Sequence, residues 1–162
     1  MASSCPPDAV CTATGQRVRA LAAAGAAGAI TPAVADAICA IQRQIAPALT
    51  HWPDGSGGAN VFIDSVDLGA PFAQPTTWVA FHLPHTLPDG DIYPVWLRPD
   101  LSRIDGGPIG KLDGAGRNFL HQNQNWLGEP AVMVSLRSSS RDPNIDSPVR
   151  KLTRVLATVR NT

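Results

Sequence analysis

The chain has no excess of charge of either sign. Its 13 Lys and Arg balance 13 Asp and Glu over 162 residues. A neutral chain offers no electrostatic footprint for nucleic acid or for an anionic membrane, so neither is expected as a partner. Cysteine is scarce as well. Cys5, Cys11 and Cys39 all lie in the first quarter, and an odd number without framework spacing argues against a secreted disulfide scaffold. Reduced thiols and a cytoplasmic location are the expectation. No apolar run is long enough to cross a bilayer. The alanine-rich stretch from Arg17 to Ala27 is too short for that, and its apolar centre is too weak for a good signal peptide. There is no internal repeat and no Gly-x-Ser-x-Gly elbow. Triads assemble in space, so a serine-dependent hydrolase stays open.

The length is that of one ordinary domain, long enough to bury its own core. The hydrophobic share is 44%, much of it alanine, so Val, Ile, Leu, Trp and Phe carry the core. The 14 glycines and 15 prolines lie mostly in residues 53–130 and cut the middle into turns.

Residues 1–14 are polar and proline-containing and read as a disordered tail, with 15–162 as a single domain. Gln16 to Ala27 suits a short helix. Thr31-Pro32 is a helix start, a capping side chain followed by proline at the first helical position. Val34, Ile38, Ile41, Ile45 and Leu49 then form one apolar stripe, which Pro47 should end or bend. Cys39 lies one position off that stripe and reads as a small buried or half-buried side chain. Strand patterns follow at 60–68, 76–83 and 92–98, the second with Val79, Phe81 and Leu83 on one face. Pro94 and Pro99 place the third at an edge or in irregular pairing. Residues 101–118 read as a long loop of the kind that is often functional. Residues 131–136 are a short apolar run. Ser147-Pro148 repeats the cap, and Val149, Leu152, Val155, Leu156 and Val159 form a last amphipathic helix. The class is α+β, with helices at the ends and an antiparallel meander of three to four strands between them. The four tryptophans read as core or rim packing.

The segment His121-Gln122-Asn123-Gln124-Asn125-Trp126-Leu127-Gly128-Glu129-Pro130-Ala131, followed by Val132-Met133-Val134, resembles the active-site segment of ubiquitin-conjugating enzymes. Tyr93-Pro94 and the later Pro99 resemble the proline motif of that family's third strand. The helix, meander, active-site loop and closing helix match its element order over about residues 31–160. Three departures point to a divergent bacterial relative: Gln122 replaces a proline, Ala131 stands where the family's cysteine falls, and the chain ends after one closing helix. The resemblance implies a ubiquitin-like protein and a ThiF-like activating enzyme as partners, with no cofactor.

A conjugating enzyme needs a nucleophile to accept an acyl group, and a donor for the oxyanion that forms. By resemblance Asn123 is that donor or holds its loop, and His121 braces the loop. Ala131 has no lone pair and cannot be the nucleophile. The alanine could be a deliberate replacement of cysteine. A nearby hydroxyl could act instead, Ser135 or one of Ser138, Ser139 and Ser140, with His121, His82 or His85 as base. Or the domain could be an inactive adaptor, which makes a plain protein-binding module the alternative. Each residue also has a plain reading: turn residues at Asn123 and Asn125, a solvated serine loop before a helix cap. His82, His85 and His121 could in principle hold a metal, but Pro84 breaks their regularity and no metal site is expected. Asp113-Gly114-Ala115-Gly116 lacks the preceding strand and the lysine of a phosphate loop.

Overall fold

The computed structural model describes residues 9–25, 27–110, 118–138 and 142–162. Three helices and six strands follow in the order α1 (Ala9–Ala23), α2 (Pro32–Gln44), β1 (Thr50–Pro53), β2 (Ala59–Asp67), β3 (Thr76–Leu83), β4 (Val95–Leu97), β5 (Leu120–Trp126), β6 (Glu129–Val134) and α3 (Pro148–Arg160). One antiparallel sheet holds all six strands in the order β1-β2-β3-β4-β6-β5. The α+β class and the antiparallel succession β2-β3-β4 are as the sequence implies, but β1 precedes it unexpected and the strand count exceeds three to four.

The two capped helices begin where their residues dictate. Thr31 and Ser147 each accept a hydrogen bond from the amide three residues on, at 3.3 and 3.2 Å, and proline occupies the first helical position. Each cap satisfies one of the donors a helix start leaves open. Both helices lay their stripes on one face of the sheet. Val34, Ile38 and Ile41 of α2 and Leu152, Val155 and Val159 of α3 meet Val61, Ile63, Val79, Phe81, Leu83, Val95, Leu97, Val132 and Val134. Cys39 points away from that core and is exposed, because it falls outside the stripe.

The other face carries the aromatics. Phe62, Trp52, Trp78 and Trp126 form a cluster with Ala131, and Trp96 packs against it, so all four tryptophans share this side. Phe62 and Trp126 stack with centroids 5.9 Å apart and planes 13° apart. Helix α1 covers this cluster through Val18. Arg17 clamps it to Glu129 of β6 with two 2.6 Å hydrogen bonds, and Arg19 pairs with Asp64 of β2 at 3.0 Å. The helix begins at Ala9, inside the stretch expected to be a disordered tail. A polar composition did not prevent helix formation, because a helix needs only one small face to dock on an aromatic floor.

Two strands lie where none was expected. β1 is four residues long, and its Trp52 faces the aromatic cluster while His51 is exposed. β5 reads as a polar loop in sequence because it is an edge strand. Only its ends, Leu120 and Trp126, are buried.

Candidate functional site

The segment that resembles a conjugase active site is a β-hairpin. The strands β5 and β6 are joined by Leu127-Gly128, with φ of 50° and 87°, and positive φ at both central residues is the two-residue turn that suits twisted strands. Asn123, at φ 56°, sits within the irregularity between His121 and Gln124 that bends β5. The spacing of His, Asn and Gly is therefore accounted for by a bulge and a tight turn. The expected loop over a groove is a paired edge strand.

Ala131 lies in β6 opposite Gln124, with 0% of its surface exposed, among Trp52, Phe62, Trp78 and Trp126. A nucleophile at this position would be sealed under α1 and the indoles. His121 pairs with Met133 one step along the ladder, half-buried, and Asn123 is exposed. His121 and Asn123 thus share one edge strand, while Ala131 belongs to the core.

The structure does bring the serine candidates together with groups of other elements. Beyond the end of β6, the Ser135 hydroxyl lies 2.9 Å from the phenol of Tyr93, which precedes β4. The guanidinium of Arg137 lies over the Tyr93 ring, 4.1 Å from its centroid. The hydrogen bonds from Ser135 and from Arg137 hold the Tyr93 phenol below its ordinary value. They outweigh the opposite effect of burial, and the positive charges of Arg137 and Lys151 add to them.

Next to this pair is a buried ammonium. Lys151 of α3 is 2% exposed, and its Nζ donates to Asp91 at 3.0 Å, to the Leu136 carbonyl at 2.6 Å and to Ser138 Oγ at 3.1 Å. A fully buried lysine requires such pairing. Ser138 also accepts from Arg154 at 2.8 Å, while its amide and hydroxyl approach the Asp91 carboxylate at 3.1 and 3.4 Å. Ser139, Ser140 and Arg141 lie outside the described residues, as does Asp113-Gly114-Ala115-Gly116.

The histidines proposed as bases are placed elsewhere. His82 Nε2 is bound to Asp54 at 2.7 Å, and Asp54 also receives the amides of Ser56 and Gly58. Burial raises the Asp54 carboxyl, but the hydrogen bonds from Ser56, His82 and Gly58 prevail and hold it at about 2. Among the described residues, no group of three His, Cys, Asp or Glu is placed to hold a metal ion. No helix there is long and apolar enough to cross a membrane.

The chain matches no family model, no curated protein and no solved structure. Its own geometry is what identifies the site. Sequence reasoning named Ser135 and Ser138 but missed Tyr93 as the partner of the first and Asp91 and Lys151 as partners of the second, and it assigned Tyr93 only to a strand and, by resemblance, to a proline motif. A signal for Lys151 was present. It precedes Val155 by four residues, so it lies on the buried stripe of α3 rather than on its outer face.

Proposed function

We propose that this domain is a conjugase-like module that binds the carboxyl-terminal tail of a ubiquitin-like protein, in a pathway with a ThiF-like activating enzyme, without carrying that tail at residue 131. The observation that supports the reading is the element order. Helix α2, the antiparallel β1–β4 meander and the closing helix α3 come in the order that the resemblance implies, with Tyr93-Pro94 entering the last meander strand and the β5–β6 hairpin in place of the expected loop. Binding rather than thioester transfer follows from Ala131, whose methyl is part of the aromatic core.

The test has two arms. The genes beside this one should encode a ubiquitin-like protein and a ThiF-like activating enzyme. Calorimetric titration of the chain with that ubiquitin-like protein should give a Kd on the order of 10 μM, about −7 kcal/mol. In a mixture with activating enzyme and ATP, no adduct cleaved by thiol reductant should form on the wild-type chain or on Ala131→Cys. Neighbours of unrelated chemistry, absence of binding heat, or a thioester on Ala131→Cys would each refute the reading.

A further inference from the structure

Tyr93, Ser135 and Arg137 come from two separate stretches of chain and meet at the surface end of the β4–β6 pair. Tyr93 and Ser135 are both half-buried and Arg137 is exposed, so the hydroxyl pair is neither sealed in the core nor fully solvated. We propose that Ser135 and Tyr93 form an acyl-transfer centre, in which the Ser135 hydroxyl attacks an activated carboxyl group, a thioester or ester, and the Tyr93 phenolate takes its proton. The inference goes beyond the binding role above and does not depend on it.

Each neighbour has a definable part. A serine hydroxyl is a weak nucleophile unless a base stands within hydrogen-bond reach, and the 2.9 Å separation meets that requirement. A phenol serves as base only if its anion is stabilised. The Arg137 guanidinium over the ring does this directly, and the buried ammonium of Lys151 does it by charge. Lys151 is not itself the base, because Asp91, the Leu136 carbonyl and Ser138 take up its three N–H donors. Ser138 is the weaker nucleophile of the two serines. Its oxygen accepts from two cations, Lys151 and Arg154, which occupy both lone pairs. The charges that act on Tyr93 are those of Arg137 and Lys151, and Asp91 pairs with Lys151 at 3.0 Å.

The step balances without a further reactant. The Ser135 oxygen bonds to the carbonyl carbon as its proton passes to the Tyr93 oxygen. The tetrahedral oxyanion then collapses, and the carbon–sulfur or carbon–oxygen bond to the leaving group breaks. The leaving thiolate or alkoxide takes the proton back from the phenol, and an acyl ester remains on Ser135. Water or an amine ends the cycle by the same route. Arg137, exposed beside the hydroxyl pair, supplies the N–H donors for the oxyanion.

Tyr93 is the chain's one tyrosine, so its ionisation can be read in isolation from the ultraviolet absorbance of the phenolate. Its midpoint should lie below that of a free tyrosine, and Arg137→Ala should move it up. The full chain, incubated with a fluorophosphonate probe, should acquire one adduct on Ser135. Hydrolysis of p-nitrophenyl acetate and of a short peptide thioester should rise with pH along the same midpoint. Tyr93→Phe should lower labelling and both hydrolysis rates by about 100-fold and flatten the pH profile, the usual scale of a lost general base. Ser135→Ala should abolish labelling. Ser135→Cys, nearly the same size, should keep the fold by circular dichroism and react with iodoacetamide at a rate that follows Tyr93 ionisation. A probe adduct on another serine, unchanged labelling in Ser135→Ala, or a pH profile unaltered by Tyr93→Phe would each overturn the proposal.

Discussion

Replacing Lys151 by methionine tests the polar network that joins α3 to the segments around Asp91 and Ser138. Methionine keeps the apolar stem that α3 buries and removes the ammonium. Three hydrogen bonds go with it, to Asp91, the Leu136 carbonyl and Ser138. Removing one partner of a buried ion pair costs about 3–5 kcal/mol, mostly from the charge left behind. Here the Lys151 side chain is 1% exposed but Asp91 is 22% exposed, so water can partly solvate the orphaned carboxylate. The lower end applies, and the expected loss is about 3 kcal/mol, with the unpaired Leu136 carbonyl contributing a share of about 1 kcal/mol. For a domain of this size each kcal/mol lowers Tm by about 2–4 °C, giving a fall of about 6–12 °C. Urea unfolding followed by tryptophan fluorescence measures the loss directly. The double variant Lys151→Met with Asp91→Asn should recover part of it, because the stranded charge is then gone. A loss below about 1 kcal/mol for the single variant, or no recovery in the double one, would show that the network is not the anchor described, since even one stranded buried group should cost that much.

Two further outcomes follow from burial and charge. Ala131→Leu forces a branched side chain into the cluster of Trp52, Phe62, Trp78 and Trp126 and should destabilise by about 1–3 kcal/mol in the same assay; a neutral substitution would mean that this face is loosely packed. Asp54 has a folded value near 2, below that of an unfolded aspartate, so its contribution is complete above about pH 4 and is lost as pH falls through about 2. Asp54→Asn should therefore reduce the slope of stability against pH in that acid window and leave it unchanged near neutrality, which acid titration of both proteins by circular dichroism will decide.

Much of the fold is local and is written in the chain. Thr31-Pro32 and Ser147-Pro148 state where two helices start, because capping and the fixed φ of proline act within a single turn. The alternation of Thr76–Leu83 gives β3 its bounds. β1 and β5 carry no comparable signal, since a four-residue strand and a polar edge strand owe their conformation to a partner strand. Helix α1 likewise docks on the aromatic face through Val18 and Ala22, a contact between residues far apart in the chain.

The candidate site divides along the same line. Residue types and neighbours in sequence mark Ser135 and Ser138 as possible nucleophiles beside Arg137. Only the folded sheet, by setting β4 against β6 and closing α3 over them, brings Tyr93 to one serine and Lys151 to the other. The likeness of His121–Ala131 to an active-site segment is a local pattern that a bulge and a two-residue turn also satisfy. Burial decides which face Ala131 takes, and burial is a property of contacts between residues far apart in the chain.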